Sequence, residues 1–120
     1  MKITKFENLV LTLGTDDWFG VWEVVDDFRP FFPNYTKKDL IKEIINIFSD
    51  LLQKDWINFS KRDYKQNKEI SINQEEVLLL LSEERYWNSP QKDDLFEILF
   101  INTDLGDKAY YSQNKDEFGK

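Results

Sequence analysis

The chain of 120 residues contains no histidine and no cysteine. Without imidazole or thiol it can build no Ser-His-Asp triad, no Cys-His pair and no His or Cys zinc site. Disulfide stapling, the usual support of a small secreted domain, is excluded as well. Glycine is scarce, at four residues, and no glycine-rich phosphate loop can be assembled from it. No stretch reaches the roughly 18 apolar residues that would cross a bilayer. The apolar run that a signal peptide needs is broken within Met1 to Gly14 by Lys5, Glu7 and Asn8. The glycosylation-like triplets Asn34-Tyr35-Thr36 and Asn58-Phe59-Ser60 mean little without a secretory route. These absences lead to the expectation of a soluble, cytoplasmic binding protein with no metal and no cofactor, and not an enzyme.

What is present supports a folded core. Hydrophobic residues make up 41% and aromatic residues 16%, enough apolar surface to offset chain entropy. The length falls within one domain, so residues 1–120 are expected to form a single unit, with 112–120 a frayed polar tail.

The clearest periodicity runs from Thr36 to about Lys54. Leu40, Ile41, Ile44, Ile45, Ile47, Phe48, Leu51 and Leu52 form one stripe, and Thr36 with Asp39 forms a capping signal after the Pro33-Asn34 turn. Upstream, Thr15 reads as the cap of a helix that carries Trp18, Val21, Trp22 and Val25 and stops at Pro30. The first segment, Ile3 to Leu13, fits a helix ended by Gly14, while Leu9 to Leu13 also fits a short strand; the helix is favoured.

Trp56 to Phe59 and Glu69 to Ile72 read as short strands around a polar loop, Ser60 to Lys68. Asn73, with Glu76 three residues on, caps a helix to about Glu84, whose five consecutive apolar residues from Val77 to Leu81 predict deep burial. Leu95 to Ile101 is the strongest strand and is expected to be central. Thr103 caps a last helix through Leu105, Ala109 and Tyr110. The fold class that follows is α+β and α-rich: amphipathic helices packed on a small antiparallel sheet, winged-helix-like.

Net charge is −7 and unevenly spread. Residues 1–60 hold ten acids and seven bases, residues 61–68 one acid and four bases, and residues 69–120 twelve acids and five bases. Lys61, Arg62, Lys65 and Lys68 therefore sit between two predicted strands, where the wing of a winged-helix DNA-binding regulator would lie. That alternative is opposed by Glu75 and Glu76 at the start of the following helix, which would repel phosphates.

The paired carboxylates suit a basic protein partner, because such charges steer encounter and raise specificity. Trp87 follows Tyr86 beside Glu83, Glu84, Asp93 and Asp94, so an aromatic anchor with an acidic rim is expected there. A glycosidase or a hard-metal site needs only carboxylates, but no specific spacing supports either; Asn102-Thr103-Asp104-Leu105-Gly106 lacks the ligands of an EF-hand and reads as a helix cap.

Several runs together resemble a known group: Thr36-Lys37-Lys38-Asp39-Leu40 through Trp56-Ile57, Ile70 to Val77, Tyr86-Trp87, and Asn102 to Gly106. They look like small winged-helix-like bacterial proteins, especially immunity proteins of polymorphic or contact-dependent toxin systems. The resemblance implies a cytoplasmic antidote that binds the toxin domain of its own system, often a basic nuclease, and blocks its active site. No family residues carry over, since immunity proteins bind through divergent surfaces, so the partner-binding candidates remain Glu83, Glu84, Trp87, Asp93 and Asp94.

Overall fold

The computed structural model describes residues 3–88 and 96–118, without the side chains of 113–118. It is an α+β arrangement of five helices on a four-stranded antiparallel sheet. The helices are α1 (Lys5–Leu13), α2 (Val21–Phe28), α3 (Lys37–Gln53), α4 (Gln74–Leu81) and α5 (Asp104–Phe118). The strands are β1 (Phe19–Gly20), β2 (Ile57–Asp63), β3 (Lys68–Ile72) and β4 (Phe96–Asn102), in the spatial order β1-β4-β2-β3. Helices α2 and α3 preceding the β2–β3 hairpin are compatible with a winged-helix-like arrangement.

The apolar run at Phe96 onward becomes a central strand, as its composition predicts. Phe59 of β2 lies opposite Phe100 of β4, which in turn lies opposite Phe19 of β1. α3 crosses this face with its buried stripe of Leu40, Ile44, Phe48, Leu51 and Leu52. The Phe48 ring meets Phe59 edge-on at 5.2 Å and Phe100 at 5.2 Å, so one aromatic side chain ties the long helix to two strands. Thr36 caps α3, its hydroxyl accepting from the Asp39 N–H, and Asn73 caps α4 by accepting from the Glu76 N–H.

Four expectations are corrected. Thr15 does not cap α2; its hydroxyl donates back to the Leu11 carbonyl, and α2 starts only at Val21 because Phe19 and Gly20 pair with Phe100 and Leu99. β2 continues to Asp63, which shortens the polar loop to four residues. Asp63 is buried and accepts from the N–H groups of Lys65 and Gln66, closing the hairpin, while Asn67 takes a left-handed φ of 52°. α5 extends to Phe118, past the point where a frayed tail was expected. α4 is not deeply buried: only Val77 and Leu81, one turn apart, enter the core, because α4 packs on α3 and the following 3₁₀ turn with one face alone.

α1 carries a capping box that links it to the core. The Glu7 N–H donates to the Thr4 hydroxyl, the Thr4 N–H donates to Glu7 Oε1 at 3.0 Å, and Lys54 from the end of α3 donates to Glu7 Oε2 at 2.5 Å. Glu7 is 3% exposed. Burial by itself pushes this carboxyl up, but the Lys54 hydrogen bond, the Thr4 N–H, the Lys54 charge and the Thr4 hydroxyl outweigh it and hold the group below its ordinary value.

A carboxyl lowered in the folded state stabilises fully above its unfolded value, and that contribution is lost as pH falls through the folded value. Glu7→Gln is therefore expected to cost about 1–3 kcal/mol at neutral pH, since Lys54 loses a buried charged partner while keeping access to water. Urea unfolding of both proteins from pH 7 into acid checks this: the gap between them narrows as pH falls through the folded value of Glu7. A gap that persists unchanged would mean the ion pair contributes nothing.

At the far end of β4, Asn102 is buried and donates to the Leu11 carbonyl at 2.9 Å and to Asp107 at 3.0 Å, while its backbone N–H donates to the Gly14 carbonyl. One amide thus joins α1, β4 and α5. No helix among the described residues is long and apolar enough to cross a membrane.

Candidate functional site

The exposed surface of α4 is set by its short core stripe. With Val77 and Leu81 turned inward, the neighbouring leucines of the same apolar run must turn outward: Leu79 is 73% exposed and Leu78 39%. Glu75 and Glu76 lie one turn before Leu79 on the helix, and Glu83 follows just past the helix end; all three are exposed. The position of Glu75 and Glu76 at the N-terminal end also suits the helix dipole. Gln74 fixes the start of the helix by donating to the Leu52 carbonyl at 3.0 Å. The result is an apolar centre with an acidic rim on a helix anchored at both ends.

The expected rim is distributed differently. Glu83 is exposed and pairs with Arg85 at 3.6 Å, a separation and exposure at which an ion pair contributes little. Glu84 turns to a separate groove, beside Lys37, Lys38 and Lys42 of α3. Asp93 and Asp94 lie outside the described residues. Trp87 is no surface anchor: it is 2% exposed, its indole N–H donates to the Leu81 carbonyl at 2.8 Å, and its ring stacks on Phe48 at 6.3 Å. The apolar-centre-with-acidic-rim pattern is present one element earlier, with Leu79 at its middle. The signal that could have located it is the length of the apolar run, since five consecutive residues on an eight-residue helix cannot all face one side.

The basic candidates do converge on the β2–β3 hairpin, but two of the four are engaged. Arg62 binds Glu69 at 2.9 Å, and that hydrogen bond, against some burial, raises its pKa. Lys61 lies over the Phe96 ring, 4.7 Å from its centroid. Tyr64 donates to Glu97 at 2.8 Å; burial first and then this carboxylate raise its pKa, so the phenol stays protonated at neutral pH. Lys65 and Lys68 remain exposed, Lys68 beside Glu69. This loop presents less positive charge to a phosphate backbone than its sequence suggests.

Among the other acid pairs, Asp16, Asp17 and Asp26 are exposed, and Asp27 is half-buried, its pKa raised by burial and by the Asp26 charge. No cluster of three or more potential metal-binding side chains occurs among the described residues. No protein-family model matches the chain, and neither curated proteins nor solved structures give a match.

Proposed function

We propose that this chain is a cytoplasmic antidote: an immunity protein that binds a cognate bacterial toxin domain and blocks it, with the acid-rimmed Leu79 face of α4 as the docking surface. The observation that carries this reading is a leucine 73% exposed on a pinned helix, with Glu75 and Glu76 one turn before it and Glu83 just past the helix end, in a chain whose net charge is −7. Contiguous exposed apolar side chains rimmed by charge suit a docking site, and Leu78 and Leu79 are neighbours here. The sign of the rim selects a basic partner, such as a nuclease whose substrate groove is lined by Lys and Arg. In that complex Leu79 enters an apolar pocket, and Glu75, Glu76 and Glu83 stand in for substrate phosphates.

The antidote reading requires a large toxin protein encoded directly upstream, and the test uses its C-terminal domain. Calorimetry is expected to give tight one-to-one binding, and co-expression is expected to rescue growth. Leu79→Glu should weaken binding at least about 30-fold, as for a central hot spot. The Glu75→Lys, Glu76→Lys, Glu83→Lys triple variant should slow association about 10–100-fold at low salt and less at high salt. Wild-type affinity in both variants would remove the α4 site, and a domain neither bound nor neutralised would sink the antidote reading.

A further inference from the structure

A second feature of the surface has the opposite electrostatic sign. Between α3 and the segment running from the end of α4 into the 3₁₀ turn at Glu84–Trp87 lies a groove of about 430 Å³. Its floor is apolar: Ile41 and Ile45 from α3, Leu81 from α4 and the Trp87 ring. Its rim carries Lys37, Lys38 and Lys42 against one acid, Glu84. Lys38, Ile41, Lys42 and Ile45 recur at the three- and four-residue spacing of a single helix face, so cations and floor share one strip of α3.

Among the described residues none of the three lysines forms an ion pair, and Lys37 only donates to the Asn88 side chain at 2.6 Å. Three ammonium groups against one carboxylate at one groove are unexpected in a chain of net charge −7. Lys37 and Lys38 lie in the first turn of a 17-residue helix, where the dipole adds to their field.

We propose that this groove binds a small amphiphilic anion, a medium-chain carboxylate whose alkyl chain lies on Ile41 and Ile45, against the nearly covered Leu81 and Trp87, and whose carboxylate sits among Lys37, Lys38 and Lys42. The dimensions select a small molecule. On α3 the apolar floor runs from Ile41 to Ile45, one helical turn or about 6 Å, whereas a docked amphipathic helix needs anchors over two turns or more. The volume falls within the range of small-ligand sites, in which apolar walls bury the body and a few polar groups fix the head. The lysines at the mouth decide which amphiphile enters: a carboxylate gains their charge, an alcohol of equal length does not, and an alkylammonium is repelled.

Trp87 forms part of the wall, so occupancy alters its fluorescence directly. Octanoate is titrated into the full chain below its micelle concentration, followed by tryptophan fluorescence and by amide shifts in α3 and α4. The expected result is saturable one-to-one binding, with amide shifts grouped around residues 37–45 and 81–87. Affinity should rise about fourfold per added methylene from hexanoate to decanoate. 1-Octanol should bind at least about tenfold more weakly, and a Lys38→Gln, Lys42→Gln double variant should lose about tenfold for octanoate while its octanol affinity stays unchanged. Both lysines are exposed and form no ion pair, so the double variant should keep the wild-type unfolding midpoint. No saturation at millimolar octanoate, shifts away from the groove, or equal affinity for octanoate and octanol would each overturn the proposal.

Discussion

Gly106→Ala is expected to destabilise the protein by about 3 kcal/mol, the upper part of the range for forcing one methyl into a packed site. The reason is a backbone-to-backbone approach. α5 begins against the turn between α3 and β2, where the Thr103 N–H donates to the Trp56 carbonyl at 2.9 Å and the Thr103 hydroxyl donates to the Asp55 carbonyl at 2.5 Å. The same hydroxyl accepts from the Gly106 N–H at 3.0 Å, capping the helix.

A Cβ on residue 106 would overlap the Trp56 carbonyl oxygen and come within 2.9 Å of its carbon and 3.2 Å of its Cα. Neither partner is a movable side-chain end. The helix must back away, and retreat breaks the Thr103 contacts that dock it. Gly14→Ala provides the internal comparison, since its nearest neighbours would be side-chain atoms of Asn102 and Phe100, with backbone at 3.3 Å. Its cost should be the smaller of the two. Urea unfolding of both variants measures this; an unchanged midpoint for Gly106→Ala would mean that α5 does not rest on Trp56.

The cap at Thr103 is among the features that the sequence states openly, as are the caps at Thr36 and Asn73. In each case a short oxygen side chain precedes an apolar period, and the first-turn N–H groups have nowhere better to bond. The α3 stripe and the central position of β4 are legible for a similar reason: a long period and a dense β-branched and aromatic run each leave one way to bury their apolar groups. Thr4 and Glu7 form a full capping-box signature that is equally readable, beside an apolar spacing that fits helix and strand alike.

Where local reading fails, long-range pairing decides. Thr15 followed by two aspartates is a good helix start, yet Phe19 and Gly20 instead complete the edge of a sheet whose partner strand begins only at Phe96. The candidate site fails in the same way. Burial like that of Val77 cannot be assigned to each member of a five-residue apolar run without knowing that α3 and the following 3₁₀ turn cover the helix from one side alone. The groove is invisible in sequence because Lys37 and Trp87 meet only through the path of the chain across the sheet.

Trp87→Ala is expected to cost about 3–5 kcal/mol, the range for truncating a large buried aromatic residue. This is a stability effect, and its size separates a core role from the anchor role suggested by the neighbouring sequence. Truncation removes the stack on Phe48, which holds α3 to the sheet through Phe59 and Phe100. It also leaves the Leu81 carbonyl without its donor. Trp87 lines both the Lys37–Lys42 groove and a second cleft beside Trp22 and Arg29, so its loss joins two hollows into one larger void that the surrounding helices cannot readily close.

Trp87→Phe keeps a ring against Phe48 but loses the indole hydrogen bond and part of the ring volume, so about 1–3 kcal/mol should disappear in that variant. The comparison with Leu79 decides between the roles. Leu79→Glu, on an exposed position, should leave the unfolding midpoint nearly unchanged while removing partner affinity. Trp87→Phe should shift the midpoint and leave affinity intact. If Trp87→Phe abolished partner binding at unchanged stability, the tryptophan would be reaching the partner after all, and the docking surface would have to be moved from α4 to the turn that follows it.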